Sequence, residues 1–254
     1  MKGPDYLENP VTSTSTSPIA LVTGASSGIG EAICRLLISN RYGVIGAART
    51  ESKLQSLSEE LGSLFHPLVL DVSDPAAVSE LINRLPENLH SIDVLVNNAG
   101  HDTGGRRSFE QGSAQQWSDI IETNVQGLMR VTHALIGGML ERGHGHVINL
   151  GSIAGLKPYA TMTPYVTSKY AVHGFSECLR LDYAGKGIRI SEIMPGLVHT
   201  DFAHQRLGDA QKAEEFYDSY GQSLNPEDVA QTVLFALQQP RHVEISQLVV
   251  LPVS

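Results

Sequence analysis

Tyr165 and Lys169 stand four residues apart in the segment YVTSK, which opens a predicted helix. Residues at positions i and i+4 lie on one face of a helix, so the phenol and the ammonium point into the same space. The ammonium favours the phenolate, and we expect it to lower the phenol pKa from about 10 towards neutral pH. Such a phenol can exchange a proton with an alcohol or a carbonyl oxygen. Taken alone, the pair is more often an ordinary contact on a helix surface.

Ser152 adds a hydroxyl group that could serve the same reaction. It ends the segment NLGS, directly after a predicted strand, and therefore lies at the carboxyl edge of the predicted sheet. Tyr165 must reach this edge if both side chains are to meet one substrate. A hydroxyl there can hold a substrate oxygen on which charge develops. The Ser, Tyr and Lys side chains together predict proton transfer to or from a carbon–oxygen bond.

A glycine-rich turn, TGASSGIG, joins the first predicted strand to the following helix. Its glycines are Gly24, Gly28 and Gly30, and Ser26 or Ser27 could add a hydroxyl donor. The missing side chains let the backbone approach a pyrophosphate, and the helix N-terminus presents free N–H groups with a positive dipole end. This strand–turn–helix context predicts a dinucleotide site, with a plain tight turn as the alternative.

The end of the second predicted strand reads AART, with Arg49 where an NAD-binding domain usually has an acidic residue on the ribose. No carboxylate stands there to repel a 2′-phosphate, and Arg49 can pair with one by charge-assisted hydrogen bonds. We therefore predict NADP(H) rather than NAD(H) as the cofactor. The alternative is a solvated arginine at the start of a helix.

Short apolar runs alternate with longer segments of helical periodicity from Ile19 onwards, a pattern of βαβ units with right-handed crossovers. The runs mostly lack polar alternation, as central strands covered on both faces do. They lie at 19–22, 44–48, 66–70, 92–96, 146–150, 188–194 and 247–251. The helical segments lie at 28–40, 51–61, 75–85, 114–142, 164–185 and 226–238. The predicted fold is α/β: a single doubly wound, parallel, seven-stranded sheet of Rossmann type with helices on both faces.

The N-terminal segment and one long connection do not follow this alternation of strands and helices. Residues 1–17 are polar and rich in Thr, Ser and Pro, so we expect a flexible tail ahead of one dinucleotide-binding catalytic domain at 18–254. Residues 197–225 have no clear strand and follow the sixth strand. A long connection at the carboxyl edge of an open α/β sheet is often a binding lid, so we predict a substrate loop there.

Composition argues against several classes of protein. The 254 residues carry 27 acidic and 18 basic side chains, a net charge of −9, which argues against a nucleic-acid partner. Cys34 and Cys178 are far apart and form no CxxC, so neither a disulfide framework nor a metal site is expected. No apolar run reaches the ~20 residues of a membrane span, and we find no signal-peptide core. We expect a cytoplasmic protein without a membrane partner.

Five motifs occur in the order found in the short-chain dehydrogenase/reductase family, which residues 18–254 resemble. The motifs are TGxxxGIG (23–30), NNAG (97–100), Ser152, YxxxK (165–169) and PGxVxT (195–200). The resemblance implies that Tyr165 is the general acid in reduction and the base in oxidation, and that Ser152 orients the substrate oxygen. It implies that Lys169 holds the nicotinamide ribose and lowers the Tyr165 pKa. Asn124 would bind a water that links Lys169 to solvent as a proton relay.

The resemblance also implies most of the residues that contact the cofactor, and Ser26, Ser27 and Arg49 join them for the reasons given above. The full predicted set is Gly24, Ser26, Ser27, Gly28, Ile29, Gly30, Arg49, Asp71, Val72, Asn98, Ala99, Gly100, Tyr165, Lys169, Pro195, Gly196, Val198 and Thr200. Family members of this type are mostly tetramers, so the resemblance implies a homotetramer.

Cationic and imidazole groups gather on the predicted substrate side. They are His101, Arg106, Arg107, His199, His204 and Arg206. In an acidic protein this cluster favours a small anionic substrate, because an arginine can grip a carboxylate or a sulfonate in a forked geometry. Solvated loop residues are the alternative. The predicted substrate contacts are Ser152, Tyr159, Tyr165 and Arg206.

Two longer segments of the sequence resemble one subgroup of this family in particular. LPENLHSIDVLVNNAG and MLERGHGHVINLGSIAG resemble the NADP-dependent 3-hydroxy acid and serine dehydrogenases, and the chain is similar in length and motifs to sulfoacetaldehyde reductases. It departs from the hydroxy-acid enzymes in the loop HDTGGRRSFEQGS, whose extra arginines add positive charge. The resemblance implies an NADPH-dependent reductase of a small anionic aldehyde.

Within this class, reduction of sulfoacetaldehyde to isethionate is favoured over reduction of a 3-oxo acid or semialdehyde to a 3-hydroxy acid. Two alternatives stay open. One is a reductase of a neutral ketone or a carrier-bound acyl group, because loops are weak guides to substrates. The other is a non-catalytic, NADP-sensing protein on the same fold.

Overall fold

The computed structural model describes residues 17–104, 106–218 and 221–253, without the side chains of residues 204, 205, 210 and 212. The predicted tail therefore lies outside the described residues, apart from Ser17.

Seven parallel strands form one sheet, which confirms the predicted doubly wound fold, and their order is β3-β2-β1-β4-β5-β6-β7. The strands are β1 (Ile19–Thr23), β2 (Gly43–Ala48), β3 (Phe65–Val69), β4 (Ile92–Asn97), β5 (Gly145–Leu150), β6 (Ile188–Pro195) and β7 (Gln247–Val250). Each predicted run corresponds to one strand. The order changes direction between β1 and β4, and this is the point at which such sheets bind ligands beyond the strand ends.

The helices follow the predicted segments with three differences. They are α1 (Gly28–Ser39), α2 (Glu51–Leu61), α3 (Pro75–Ser79), α4 (Ala114–Ile121), α5 (Leu128–Arg142), α6 (Thr163–Asp182), α7 (Phe202–Leu207), α8 (Ala210–Asp218) and α9 (Pro226–Leu237). The expected helix over 75–85 ends early, because Leu81 and Leu85 bond to carbonyls three residues back and form separate turns. The expected helix over 114–142 contains a π turn at Glu122–Gly127. The connection 197–225 carries α7 and α8.

The core has two halves, one on each face of the sheet. Successive residues of a strand point to opposite faces. Accordingly, Ala20 and Val22 pack in one cluster with α1 and α9, whereas Leu21 packs in the other with α5. Helices thus cover both faces, which explains the almost continuous apolar character of the central strands.

None of the helices in the described ranges combines the length and the apolar character needed to cross a bilayer. The homotetramer and the cytoplasmic location stay predictions.

Candidate active site

A cleft of about 1040 Å³ opens along the carboxyl ends of the strands. Its size is at the upper limit of ordinary ligand pockets, about 300–1,000 Å³. Every predicted site residue lines it except Gly30 and Asn124. The topology therefore gathers side chains from β1, β2, β4, β5, α6 and the β6–α7 connection at one place.

The glycine turn between β1 and α1 forms one wall of the cleft. Gly24 and Gly28 have φ values of +67° and +53°, where L side chains are strained. A Cβ on Gly24 would lie 2.8 Å from the Asn98 side-chain nitrogen, and one on Gly28 would lie 3.2 Å from the Thr200 methyl. Ser27 makes no side-chain cap to α1 within the described chain, so the first N–H groups of the helix can donate to a phosphate. This wall fits a pyrophosphate.

Gly30 has a packing role, contrary to its predicted place in the cofactor contact set. A Cβ there would lie 2.2 Å from the Gly24 carbonyl oxygen and 2.5 Å from the Asn98 side-chain nitrogen. Asn98 in turn donates to the Thr23 carbonyl oxygen at 2.9 Å. The missing side chain lets the first turn of α1 pack against the end of β1. Gly30 therefore supports the glycine turn by packing and does not line the cleft.

Gly30→Ala is expected to lower the free energy of unfolding by about 1–3 kcal/mol, the usual cost of overpacking, and to weaken dinucleotide binding about tenfold. The reason is that the Gly24 backbone must move to accept the new methyl group. Thermal unfolding and a titration with NADPH measure both effects. The matched control is Gly43→Ala, whose Cβ would make an ordinary contact 3.8 Å from Ile19. Equal melting temperatures and affinities for the two variants would contradict the packing role.

The far end of the cleft carries positive charge, as predicted. Arg49 is exposed there directly after β2, and Lys53, in the first turn of α2, also lines the cleft. Asp71 is held by Ser73, which donates to its Oδ1 from the backbone N–H at 2.9 Å and from the hydroxyl at 2.6 Å. Lys53 was not predicted from the sequence as a cofactor contact. The one indication in the sequence is that Lys53 is a second cation four residues after Arg49.

The reactive groups meet where β5 ends and α6 begins. Tyr165, Lys169 and Ser152 are 9%, 8% and 8% exposed. The Lys169 Nζ donates to the Leu150 carbonyl oxygen at 2.7 Å and lies 5.7 Å from the centre of the Tyr165 ring. Ser152 is close enough to Tyr165 for its hydroxyl to act on the phenol. The predicted triad is therefore assembled in one cleft.

The expected lowering of the Tyr165 pKa is wrong for this structure. Burial raises the pKa of the phenol, and the Arg206 charge and the Ser152 hydroxyl oppose that rise. Lys169 is not among the groups that act on it, and burial lowers the pKa of Lys169 itself to about 8. At neutral pH the phenol is thus protonated and can donate to a carbonyl oxygen.

Asn124 lies behind the cleft wall, in the π turn between α4 and α5. Its side-chain oxygen accepts from the His101 N–H at 2.9 Å. Its nitrogen donates to the His101 carbonyl oxygen at 2.9 Å and to the Ser168 hydroxyl at 3.1 Å. With these bonds the Asn124 side chain holds the chain after β4 against α6, so its amide is occupied by protein groups.

The loop after β4 carries a buried acid that was missed in the sequence. Asp102 is 4% exposed, and its Oδ2 lies 2.8 Å from the Nε of Arg206, itself only 9% exposed. Burial raises the pKa of Asp102 to about 6 against the opposing charge of Arg206. Downstream, this loop is packed against Trp117, whose ring stacks on Phe109 and whose Nε1 donates to the Phe109 carbonyl oxygen at 3.1 Å.

Arg206, on α7, lies among three aromatic rings on the predicted substrate side of the cleft. Its guanidinium carbon lies 5.7 Å from the Tyr165 ring centre, 5.2 Å from that of Phe202 and 5.9 Å from that of Phe216. Stacking on aromatic faces suits a guanidinium and fixes its position. Tyr159 also lines the cleft.

Only part of the predicted cationic cluster faces the cleft. His101, Arg106 and Arg206 line it, and Arg106 stacks on Phe216 at 5.1 Å. His199 instead packs on Tyr217, with ring centres 4.2 Å apart. Arg107 is not among the lining residues, and the His204 side chain lies outside the described residues.

A family model of the short chain dehydrogenases matches residues 18–211. The chain belongs to the short-chain dehydrogenase family. It is 42% identical over 238 residues to an NADP-dependent 3-hydroxy acid dehydrogenase of Escherichia coli K12, covering 93% of this chain and 95% of that one. It is 38% identical to the serine 3-dehydrogenase of Rhizobium radiobacter, covering 92% and 93% of the two chains.

Among solved structures, the chain is similar to the closed form of a serine dehydrogenase complexed with NADP+. The TM-score is 0.88 at 42% identity, and the match covers 91% of this chain and 94% of that chain. The predicted family, and its subgroup of 3-hydroxy acid and serine dehydrogenases, are thus confirmed.

Proposed function

We propose that the protein is an NADP(H)-dependent oxidoreductase that interconverts a small hydroxy acid and its carbonyl form. The observation that carries the proposal is the Arg206 guanidinium, buried and stacked beside Tyr165. Asp102 pairs with the Nε of this guanidinium, and the N–H donors that remain on Arg206 favour a substrate whose anionic group lies close to its carbon–oxygen bond. The names of the relatives in E. coli and R. radiobacter support the same class of substrate.

The triad supplies the hydrogen bond and the proton that the reaction needs. Ser152 donates a hydrogen bond to the substrate oxygen, where negative charge develops during reduction. Tyr165, protonated at neutral pH, donates its proton to that oxygen and takes one back in the oxidation. We assign to Lys169, whose Nζ lies 5.7 Å from the centre of the Tyr165 ring, the role of holding the nicotinamide ribose.

The residues of the cleft fit NADP(H). The glycine turn and the free N–H groups of α1 suit the pyrophosphate, and Arg49 and Lys53 suit the 2′-phosphate. Asp71, Val72, Ala99 and Gly100 suit the adenosine side, whereas Pro195, Gly196, Val198 and Thr200 border the nicotinamide side. When bound, the nicotinamide supplies or accepts the hydride.

Arg49→Ala is expected to reduce the preference for NADPH over NADH by about tenfold or more, because one charge-assisted hydrogen bond is worth about 1.5–3 kcal/mol. The measurement is kcat/KM for both cofactors at one ionic strength. Lys53→Ala should act in the same direction but more weakly. Arg241→Ala removes an exposed arginine elsewhere and serves as the control. An unchanged ratio in Arg49→Ala would reject the 2′-phosphate contact.

Within the class of small anionic aldehydes we favour sulfoacetaldehyde, reduced to isethionate, because Arg106 and Arg206 both face the cleft. Rates of NADPH oxidation with sulfoacetaldehyde, malonic semialdehyde, succinic semialdehyde and neutral aldehydes of matching size test this. Higher kcat/KM for the anionic members supports the proposal, and a preference for neutral members rejects it. A protein that binds NADPH but turns over none of them would fit the two alternatives, a reductase of another carbonyl compound or an NADP-sensing protein.

A further inference from the structure

Glu192, in β6, is a buried acid that the mechanism above does not use. Its side chain is 0% exposed, and its Oε2 lies 2.8 Å from the Nδ1 of His173 on α6. Its Oε1 has no hydrogen-bond partner among the described residues. Burying a carboxylate is costly unless charges or donors compensate it. The position therefore calls for a compensating charge beyond the one histidine.

The carboxylate lies directly against the reactive part of the cleft wall. A Cβ on Gly151 would be 2.3 Å from the Glu192 Oε1, so the acid packs on the Gly151 backbone. Gly151 stands between Leu150, whose carbonyl oxygen accepts from the Lys169 Nζ, and Ser152. Lys169 and His173 are four residues apart on α6 and share one face of that helix. Glu192 thus packs on the backbone next to the carbonyl group that Lys169 binds, and it contacts the partly buried His173.

The side chains that act on the Glu192 pKa all come from α6. They are His173, Lys169 and Arg180, each of which opposes the rise in the Glu192 pKa that burial causes. Its register neighbours on β5 and β7 are Asn149 and Gln247, which are neutral. Conversely, Glu192 raises the pKa of Lys169 against its burial. Lys169 has no other charged group acting on it among the described residues.

We propose that Glu192 is a positioning residue that acts through Lys169: its carboxylate is the counter-charge that keeps the buried ammonium charged, and His173 holds that carboxylate in place. The inference deepens the proposed function, because it rests on the catalytic role given there to Lys169. A purely structural role for Glu192, as a partner of His173 alone, would leave Lys169 unaffected.

The direct test is the titration of Lys169 itself, followed by NMR of the whole protein labelled with 13C at lysine Cε. The chain has only six lysines, and the signal of Lys169 is identified by its loss in Lys169→Arg. Glu192→Gln should move the Lys169 midpoint, expected near pH 8, to lower pH by about one unit. Glu177→Gln removes an exposed carboxylate from α6 and should leave the midpoint unchanged.

His173→Gln is the second variant, because His173 is partly exposed and its replacement should disturb the core less than a change at the fully buried Glu192. Without the histidine bond Glu192 takes up a proton more readily, so Lys169 should shift in the same direction by a smaller amount. An unmoved midpoint in folded Glu192→Gln overturns the inference. If that variant does not fold, an unmoved midpoint in His173→Gln overturns it.

The pH profile of kcat/KM provides the second readout, since its alkaline limb should move with the Lys169 midpoint in each variant. The proposed function fails separately, through absence of turnover with every aldehyde of the panel. The lysine titration still tests the inference in that case, because it needs no substrate.

Discussion

Replacing Tyr165 with phenylalanine is expected to lower kcat for carbonyl reduction by about 10³-fold, within the range of general acid catalysis. The substitution removes the hydroxyl that donates the proton and keeps the ring, which meets Phe202 edge-on at 5.8 Å and lies under the Arg206 guanidinium. Packing and the fold should therefore survive. The Kd for NADPH should change less than threefold. NADPH oxidation at saturating aldehyde and a binding titration measure the two quantities.

Tyr170→Phe is the matched control for this prediction. Tyr170 lies five residues further along α6, is 42% exposed and does not line the cleft. Its variant should have wild-type kcat. Turnover of Tyr165→Phe within tenfold of the wild type would remove Tyr165 from the mechanism, whatever its place in the cleft.

Arg206→Ala is expected to lower kcat/KM for an anionic aldehyde by about 10²-fold and to change kcat/KM for a neutral aldehyde of the same size only a few fold. A hydrogen bond to a charged group contributes about 1.5–3 kcal/mol, which corresponds to this ratio. Arg206 also lowers the Tyr165 pKa, but the reduction uses a phenol that is already protonated, so the neutral substrate should hardly respond. Steady-state kinetics with paired substrates measure the ratio.

Two further variants isolate the charge of Arg206 from its packing. Arg107→Ala removes the same charge from the loop after β4, outside the cleft lining, and should leave the ratio of the two substrates unchanged. Arg206→Met combined with Asp102→Asn removes both partners of the buried pair, so no uncompensated carboxylate is left behind. Equal losses for anionic and neutral aldehydes in this double variant would refute an anion site at Arg206.

The strands, their parallel direction and the residues of the triad could be predicted from the sequence because each is marked by a local pattern. The runs around Leu21 and Ile148 are apolar on both faces, and the i, i+4 spacing of Tyr165 and Lys169 places them on one helix face. The glycine turn was recognisable for the same reason. Such patterns predict the structure well because strand and helix geometry require them.

The features that could not be predicted depend on contacts between residues that are far apart in the chain. Asp102 is an ordinary loop acid until α7 brings Arg206 against it, and Glu192 is one polar residue in a strand until α6 covers it. The raised Tyr165 pKa follows from burial, which no spacing of residues reveals. Gly30 likewise belongs to the right motif, but only the contact with the Gly24 carbonyl oxygen shows that it packs rather than lines the cleft.

Trp117 is the single tryptophan of the chain, and it packs against the loop whose upstream end carries Asp102. Intrinsic fluorescence excited at the indole therefore originates from one position, in contact with the segment that follows Asp102. A change in its emission on adding an aldehyde would report on that segment without a dye or an engineered probe. The native protein thus contains an intrinsic fluorescent probe next to the loop that we expect to contribute to substrate specificity.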